Sequence, residues 1–291
     1  MRIGALEGGG TKMVCAVGNE TGKIFERVSI PTTTPEETVP KLLDFFQGKD
    51  LDALGIASFG PVDLNRDSGT YGYITTTPKL AWQNFDFRGT FARALNIPVG
   101  FDTDVNGSCL GETTWGAAKD VDSSIYITIG TGVGVGVMLE GRLLHGMLHC
   151  EGGHVILKRY PGDEFRCNCP FHDSCLEGLA AGPAIEARWG KKAYELTERQ
   201  EVWEMEAYYI GQALADFIVT LSPKRIVLGG GVMHQEHLLP LVRRETAKHL
   251  GGYLNTRELQ DLDSYIVLPA LNDNQGVMGC LKLAVMELER K

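Results

Sequence analysis

A strand, a glycine-rich turn and a second strand follow one another twice in this sequence, and this repeat constrains the fold more than any other feature. The first copy spans residues 3–17 around a turn at 8–10, and the second spans residues 124–139 around a turn at 130–132. A shift of 122 residues places Gly8 on Gly130 and Gly10 on Gly132. Two copies of one supersecondary unit indicate a duplicated architecture.

Helical and strand patterns alternate along the rest of the chain, which is typical of α/β proteins. Apolar residues three to four positions apart predict the helices, and short apolar runs predict the strands. Helices are predicted at residues 35–46, 87–95, 105–118, 201–221, 238–250 and from about 276 onwards. Strands are predicted at residues 3–6, 13–17, 54–57, 99–101, 124–129, 133–139, 225–228 and 265–268. We expect two α/β domains, residues 1–119 and 120–291.

Glycine makes up 36 of the 291 residues, about 12% where about 7% is usual. The excess indicates that glycine is required at particular positions of the backbone. An apolar run follows the turn at residues 8–12, so this turn is a hairpin tip with bare N–H groups and not a P-loop. In residues 130–136 glycine takes every other position, which leaves one strand face bare for a phosphate chain. A third turn, at 229–231, leads from a strand towards a helix. Chain reversal explains each turn alone, but the three together favour a nucleotide site.

The charge balance and the cysteine count limit the classes of function. With 28 Lys and Arg against 37 Asp and Glu, the net charge of −9 repels polyphosphate, so nucleic acid is not an expected partner. No apolar run approaches the roughly eighteen residues that a membrane span needs. The apolar run at the N-terminus is short and meets an acidic residue at Glu7, which is unlike a signal peptide. The seven cysteines are an odd number spread over a long chain, which is unlike a small disulfide-bonded secreted protein. We expect a cytoplasmic protein.

A cysteine- and histidine-rich insertion at residues 149–175 predicts a metal site. Cys169, His172 and Cys175 have the spacing Cys-x2-His-x2-Cys, and His154 lies fifteen residues before Cys169. Two thiolates and two imidazoles suit tetrahedral Zn²⁺, and four protein ligands leave no position for a reacting water. The sequence therefore predicts a structural zinc, with Cys167 as an alternative to Cys169.

Taken together, these motifs resemble the ROK (repressor, open reading frame, kinase) family of sugar kinases, and especially its bacterial fructokinases. The resemblance implies the actin-like ATPase (ribonuclease H-like) fold, with two α/β domains around a central cleft. It also implies Mg²⁺- and ATP-dependent phosphorylation of a hexose, commonly by a homodimer. The matching segments are residues 7–12, 58–63, 103–106, 129–132 and 151–154, the cysteine cluster with Glu177, and residues 229–232.

The resemblance also implies roles for individual residues. Asp104 would be the catalytic base, although it is equally suited to cap the helix that follows it, and the two roles are compatible. His154 would use one ring nitrogen for zinc and the other for sugar. Sugar hydroxyls would lie near Gly60, Pro61, Thr103, Asn106, Glu151, His154 and Glu177. ATP would lie near Gly8, Gly9, Gly10, Thr11, Lys12, Thr131, Gly132, Gly182, Pro183, Gly229, Gly230 and Gly231.

Two departures from the family's pattern bear on the choice of sugar. Many relatives have Asp at the position of Glu7 and Asn at the position of Thr103, and both differences resemble the fructokinase branch. Fructose, converted to fructose 6-phosphate, is therefore the expected substrate, with mannose or glucose as poorer ones. The alternatives are a glucose, mannose or N-acetylhexosamine kinase, or a sugar-responsive regulator. A regulator would need a DNA-binding helix-turn-helix before the first strand, where the sequence leaves no room.

Overall fold

Twelve strands are present in the computed structural model, which describes residues 1–290 of the chain. Every strand predicted from the sequence is among them, because short apolar runs rich in β-branched residues and bounded by turn residues are typical of buried strands. The strands are β1 (Ile3–Gly8), β2 (Lys12–Gly18), β3 (Ile24–Pro31), β4 (Ala53–Ser58), β5 (Tyr73–Ile74), β6 (Phe85–Asp86), β7 (Val99–Thr103), β8 (Ser124–Ile129), β9 (Val133–Leu139), β10 (Arg142–Leu143), β11 (Arg225–Gly229) and β12 (Ile266–Val267).

Ten of these strands form two five-stranded sheets with the same topology. The first sheet has the order β3-β2-β1-β4-β7, and the second has the order β10-β9-β8-β11-β12. Counted along the chain, each sheet therefore has its own strands in the order 3-2-1-4-5. In both sheets the first strand pairs antiparallel with the second and parallel with the fourth. The repeat in the sequence corresponds to the equivalent hairpins β1–β2 and β8–β9.

Helices connect the strands, and six of them are those predicted from apolar spacing. The bounds of three agree with the prediction, whereas the helix predicted at 105–118 ends at Trp115 because Gly116 follows it. The helices are α1 (Pro35–Phe46), α2 (Phe87–Leu95), α3 (Asp104–Trp115), α4 (Leu176–Ala180), α5 (Gly182–Trp189), α6 (Gln200–Leu221), α7 (Leu238–Leu250), α8 (Arg257–Gln260), α9 (Leu262–Tyr265) and α10 (Gln275–Glu289).

Helices α3 and α10 pack together between the two sheets, where residues of both sheets share one apolar cluster. Glycine permits the close approach, since a Cβ atom on Gly279 of α10 would overlap the backbone of Gly107 in α3. Helix α10 also packs on β1, β4 and β7, so the end of the chain returns to the first sheet. The domain boundary predicted after residue 119 falls between α3 and β8 and stays a prediction.

Two further apolar clusters support the outer faces of the sheets. One contains α1 and α2 with the first sheet, and the other contains α6 and α7 with the second sheet. Within residues 1–290, none of the helices combines the length and the apolar character needed to cross a membrane. The three clusters hold the carboxyl ends of the parallel strands in fixed positions, and the candidate site lies at those ends.

Candidate active site

A cleft of about 750 Å³ opens where β4, β7 and β8 end. Parallel strands place the residues that follow them at one edge of a sheet, which brings segments distant in sequence together. The cleft is lined by these predicted site residues: Gly60, Pro61, Thr103, Asp104, Thr131, Gly132, Glu151, His154, Cys169 and Glu177. Sequence reasoning missed five other polar residues of its wall, namely Thr76, Thr77, Gln83, Thr128 and His149.

A smaller cavity of about 220 Å³ adjoins the cleft, and Asp104 lines both of them. Glu7 and Asp273 bring two further carboxylates to this cavity, and Gly230 and Gly231 bring the third glycine turn. Carboxylate oxygens are the protein ligands that Mg²⁺ prefers, so the donor set suits a magnesium-bound phosphate chain. Asp104 therefore lies between the predicted sugar site and the predicted nucleotide site.

Asp104 is the first residue of α3, and its neighbour Thr103 caps the helix. The Thr103 hydroxyl accepts a hydrogen bond from the backbone N–H of Asn106 at 3.1 Å, so the alternative interpretation of Asp104 as the cap is wrong. Burial raises the pKa of Asp104 to about 7; the Val105 N–H opposes this, while the nearby Glu7 carboxylate adds to it. A carboxylate with a pKa near the working pH is well matched to general base catalysis.

Asn106 does not line the cleft, contrary to the predicted sugar contact. Its side-chain amide donates to Asp102 Oδ1 at 2.7 Å, and His145 Nε2 lies 2.8 Å from the other oxygen of that buried carboxylate. Two residues along a helix correspond to a rotation of about 200°, so Asn106 and Asp104 point in nearly opposite directions. We therefore correct the role of Asn106 to fixing the junction between β7 and α3.

The first glycine hairpin lies at the tip of β1–β2, and its residues 8–12 line neither cavity. A Cβ atom on Gly9 would lie 2.6 Å from the carbonyl oxygen of Lys12, so the tightness of the turn requires glycine there. A Cβ atom on Gly10 would lie 3.0 Å from Cε of Lys79, a side chain that sequence reasoning did not single out. Lys79 thus adds a cation to the hairpin beside Lys12, which suits an anionic ligand.

The strand that follows the second glycine turn does not have the open face that the alternating glycines predicted. A Cβ atom on Gly134 or Gly136 would overlap Val105, so helix α3 occupies the face that the alternating glycines leave open. Gly132 lies against Glu177, whose Oε2 accepts a hydrogen bond from Val133 N at 2.9 Å. The interpretation was therefore wrong for Gly136, whose open face the α3 backbone fills, whereas Gly134 lines the cleft with residues 130–132.

The third glycine turn adjoins the second. Gly230 has a φ of 90°, where L side chains are strained, and a Cβ atom there would overlap the backbone of Ile129. Gly231 lines the smaller cavity, and a Cβ atom there would have no other atom within 4 Å. Gly182 supports the second turn from outside the cavities, because its N–H donates to Gly130 O at 2.8 Å. The other two nucleotide candidates, Pro183 in α5 and Gly229 in β11, also line neither cavity.

The four predicted zinc ligands lie together. One ligand atom each from His154, Cys169, His172 and Cys175 falls within 4.8 Å of all the others, and Cys169 Sγ lies 3.4 Å from His172 Nδ1. The buried Nδ1 of His154 has no hydrogen-bond partner within residues 1–290, as expected of a metal ligand. Tetrahedral zinc separates such ligands by about 3.3–3.8 Å, so four atoms within 4.8 Å of one another need only a small contraction to hold this ion. Cys167 does not belong to this group of four.

The sequence model of the ROK family matches residues 3–287, which is nearly the whole chain. The chain belongs to the ROK family. A fructokinase of Pediococcus pentosaceus is 48% identical to it over 99% of this chain and 99% of its own length. A fructokinase of Streptococcus mutans is 47% identical over 97% of this chain and 96% of its own length.

A solved structure shows the same architecture. The crystal structure of a ROK hexokinase from Thermus thermophilus matches with a TM-score of 0.82 at 27% identity, and each chain is covered completely. The predicted ROK membership and the predicted actin-like ATPase fold with two domains are therefore confirmed. The full-length similarity to fructokinases also confirms the prediction that this ROK protein is a sugar kinase.

The pH dependence of this ROK kinase is expected to follow Asp104. A base acts in its ionised form, so kcat/KM for the sugar should fall about tenfold per pH unit below an apparent pKa near 7. Replacing Glu7 with Gln removes a negative charge that raises the pKa of Asp104, so the acid limb should move to lower pH. Rates measured from pH 5.5 to 9 at low sugar concentration and saturating ATP test this.

The exposed Glu37 of α1 supplies the control for that experiment. Glu37→Gln removes the same charge far from Asp104 and should leave the midpoint of the acid limb in place. Only midpoints are compared, so a lower absolute rate of the Glu7 variant does not matter. An unchanged midpoint in Glu7→Gln would contradict the electrostatic coupling between Glu7 and Asp104.

Proposed function

We propose that this ROK kinase transfers the γ-phosphoryl group of Mg²⁺-ATP to D-fructose, which gives fructose 6-phosphate and ADP. One observation carries the reaction: the carboxylate of Asp104, with a pKa raised to about 7, lines both the cleft and the adjoining cavity. The choice of fructose rests on the two fructokinases that are 47–48% identical to this chain.

The proposed chemistry needs one proton acceptor and several groups that orient the sugar. Asp104 accepts the proton of the attacking 6-hydroxyl group as its oxygen bonds to the γ-phosphorus, and ADP leaves. Glu151, Glu177 and His154, which line the same cleft, hold other hydroxyls and set the direction of attack. The magnesium ion that accompanies ATP neutralises charge on the phosphates, and Glu7 and Asp273 lie where they would support it.

We propose that zinc holds the insertion in place and takes no part in phosphoryl transfer. Its four candidate ligands leave no position for a substrate. His154 and Cys169 line the cleft, and Glu177 follows Cys175 by two residues, so the metal would fix one wall of the sugar pocket. One ring nitrogen of His154 would bind zinc and the other would face the sugar.

Residues 1–119 and 120–291 form the two domains, with α10 returning to the first sheet. The protein acts as a homodimer in the cytoplasm on two small molecules, ATP and a sugar. The net charge of −9 supports the expectation that nucleic acid is not a partner.

A panel of hexoses tests the proposed substrate. With ATP and Mg²⁺, fructose should give a kcat/KM at least about tenfold above those of glucose, mannose and N-acetylglucosamine, because mismatched hydroxyls leave polar groups of the pocket unpaired. ADP release measures the rate, and phosphorus NMR of the product identifies the phosphorylated hydroxyl. A higher kcat/KM for another hexose, or no turnover of fructose, would overturn the choice of fructose.

A further inference from the structure

His149 lies in the wall of the cleft and contacts both halves of the molecule. It follows β10 in the second half, and its side chain is 4% exposed. Its Nε2 accepts a hydrogen bond from the backbone N–H of Val62, in the loop that follows β4, at 3.2 Å. Its Nδ1 lies 3.2 Å from Oε1 of Glu151. One buried ring thus joins a loop of the first half to a carboxylate of the second.

These contacts define which ring nitrogen carries the proton. A backbone N–H can only donate, so Nε2 must present its lone pair to Val62. In neutral imidazole the proton then sits on Nδ1, which is the nitrogen that faces the Glu151 carboxylate. The ring therefore offers an acceptor to the loop and a donor to the carboxylate, and neither contact can be exchanged for the other.

Glycine at position 60 makes room for this arrangement. A Cβ atom there would lie 3.4 Å from His149 Nε2 and 3.2 Å from Val62 N, which is closer than most side chains tolerate. Gly60 and Pro61 line the cleft immediately before Val62, and Glu151 lines it on the other side. His149 therefore contacts both predicted sugar-binding segments: Val62 directly follows Gly60 and Pro61, and Glu151 is itself a predicted sugar ligand.

We infer that His149 is a positioning residue for the sugar, which orients the Glu151 carboxylate and fixes the loop at residues 60–62 opposite it. This inference rests on the proposed function, because it assumes that a sugar binds between these segments. Glu151 is exposed to the cleft, so without the ring its carboxylate has more orientations to choose from. The contacts that His149 supports involve hydroxyls that do not react, so they stabilise the bound sugar and the transition state alike.

Three substitutions separate the two contacts. His149→Phe keeps the ring volume and removes both polar contacts. His149→Asn keeps an N–H near the Nδ1 position, and His149→Gln keeps an acceptor near the Nε2 position. We expect His149→Phe to raise KM for fructose about tenfold to a hundredfold, with kcat within about threefold and KM for ATP unchanged. His149→Asn should recover more of the fructose KM than His149→Gln, because it keeps the contact with Glu151.

The controls decide what a change in KM means. Met147→Ala alters a fully exposed residue of the same segment and should leave KM for fructose within about twofold. Equal KM values in wild type and His149→Phe would overturn the inference, as would a fall in kcat without a rise in KM. The pair His149→Asn and His149→Gln gives the same decision if the Phe variant does not fold: equal KM values for the two overturn it. Failure of the wild type to phosphorylate fructose would instead defeat the proposed function.

Discussion

Replacing Asp104 with Asn is expected to lower kcat about 10²- to 10⁴-fold while the protein still folds and binds ATP. A carboxamide of the same shape cannot take the proton from the sugar hydroxyl. Its oxygen can still accept the hydrogen bond from Val105 N, so the start of α3 keeps its geometry. The substitution also removes a charge that burial and the Glu7 carboxylate disfavour, so the folded state loses no favourable ion pair.

The measurement combines steady-state kinetics with calorimetric binding of an ATP analogue. Asp86→Asn is a matched control, because Asp86 caps α2 by accepting the N–H of Gly89 at 2.8 Å and lines neither cavity. Its kcat should stay within about twofold of wild type. Retention of more than about a tenth of the wild-type kcat by the Asp104 variant would remove Asp104 as the base.

Much of the fold could be predicted because its strands and helices have strong local signals. Apolar spacing placed α1, α2 and α7 at their observed bounds, and the repeated glycine turn indicated two equivalent hairpins. The alternation of glycine in β9 could be read from the sequence, but the sequence did not show that helix α3 is the reason for it. Helix α3 approaches that strand at Val105, and a contact between distant segments leaves no mark on the local pattern that would distinguish it from a ligand.

Part of the candidate site was predictable because the chemistry of its residues agrees with the motifs around them. Asp104, Glu151 and Glu177 are carboxylates in segments that converge on the cleft, and the resemblance to a family placed them there. Asn106 was misplaced because a motif read as a string ignores the rotation of a helix between neighbouring residues. His149 was missed, because its role depends on an N–H and a carboxylate in segments that only the tertiary fold brings together.

Removing zinc is expected to lower stability and activity together. With free zinc at 1,000 times its Kd, binding contributes about 4 kcal/mol to the free energy of unfolding, and its loss lowers Tm by roughly 7 °C in a chain of this size. Activity should fall because His154 belongs to both the metal group and the cleft wall. The chelator must be removed before the assay, since it would also bind the Mg²⁺ that ATP needs.

Two cysteine substitutions test the ligand set more sharply than chelation does. Cys169→Ser should reduce the metal content from about one zinc per chain to near zero, because it removes one of four ligands. Cys167→Ser is the matched control: Cys167 is buried only two residues away, outside the group of four, so that variant should keep its zinc. Metal analysis and thermal unfolding of both variants measure the outcome. Loss of zinc in Cys167→Ser with retention in Cys169→Ser would reassign the ligand, and wild-type protein without zinc would contradict the metal site itself.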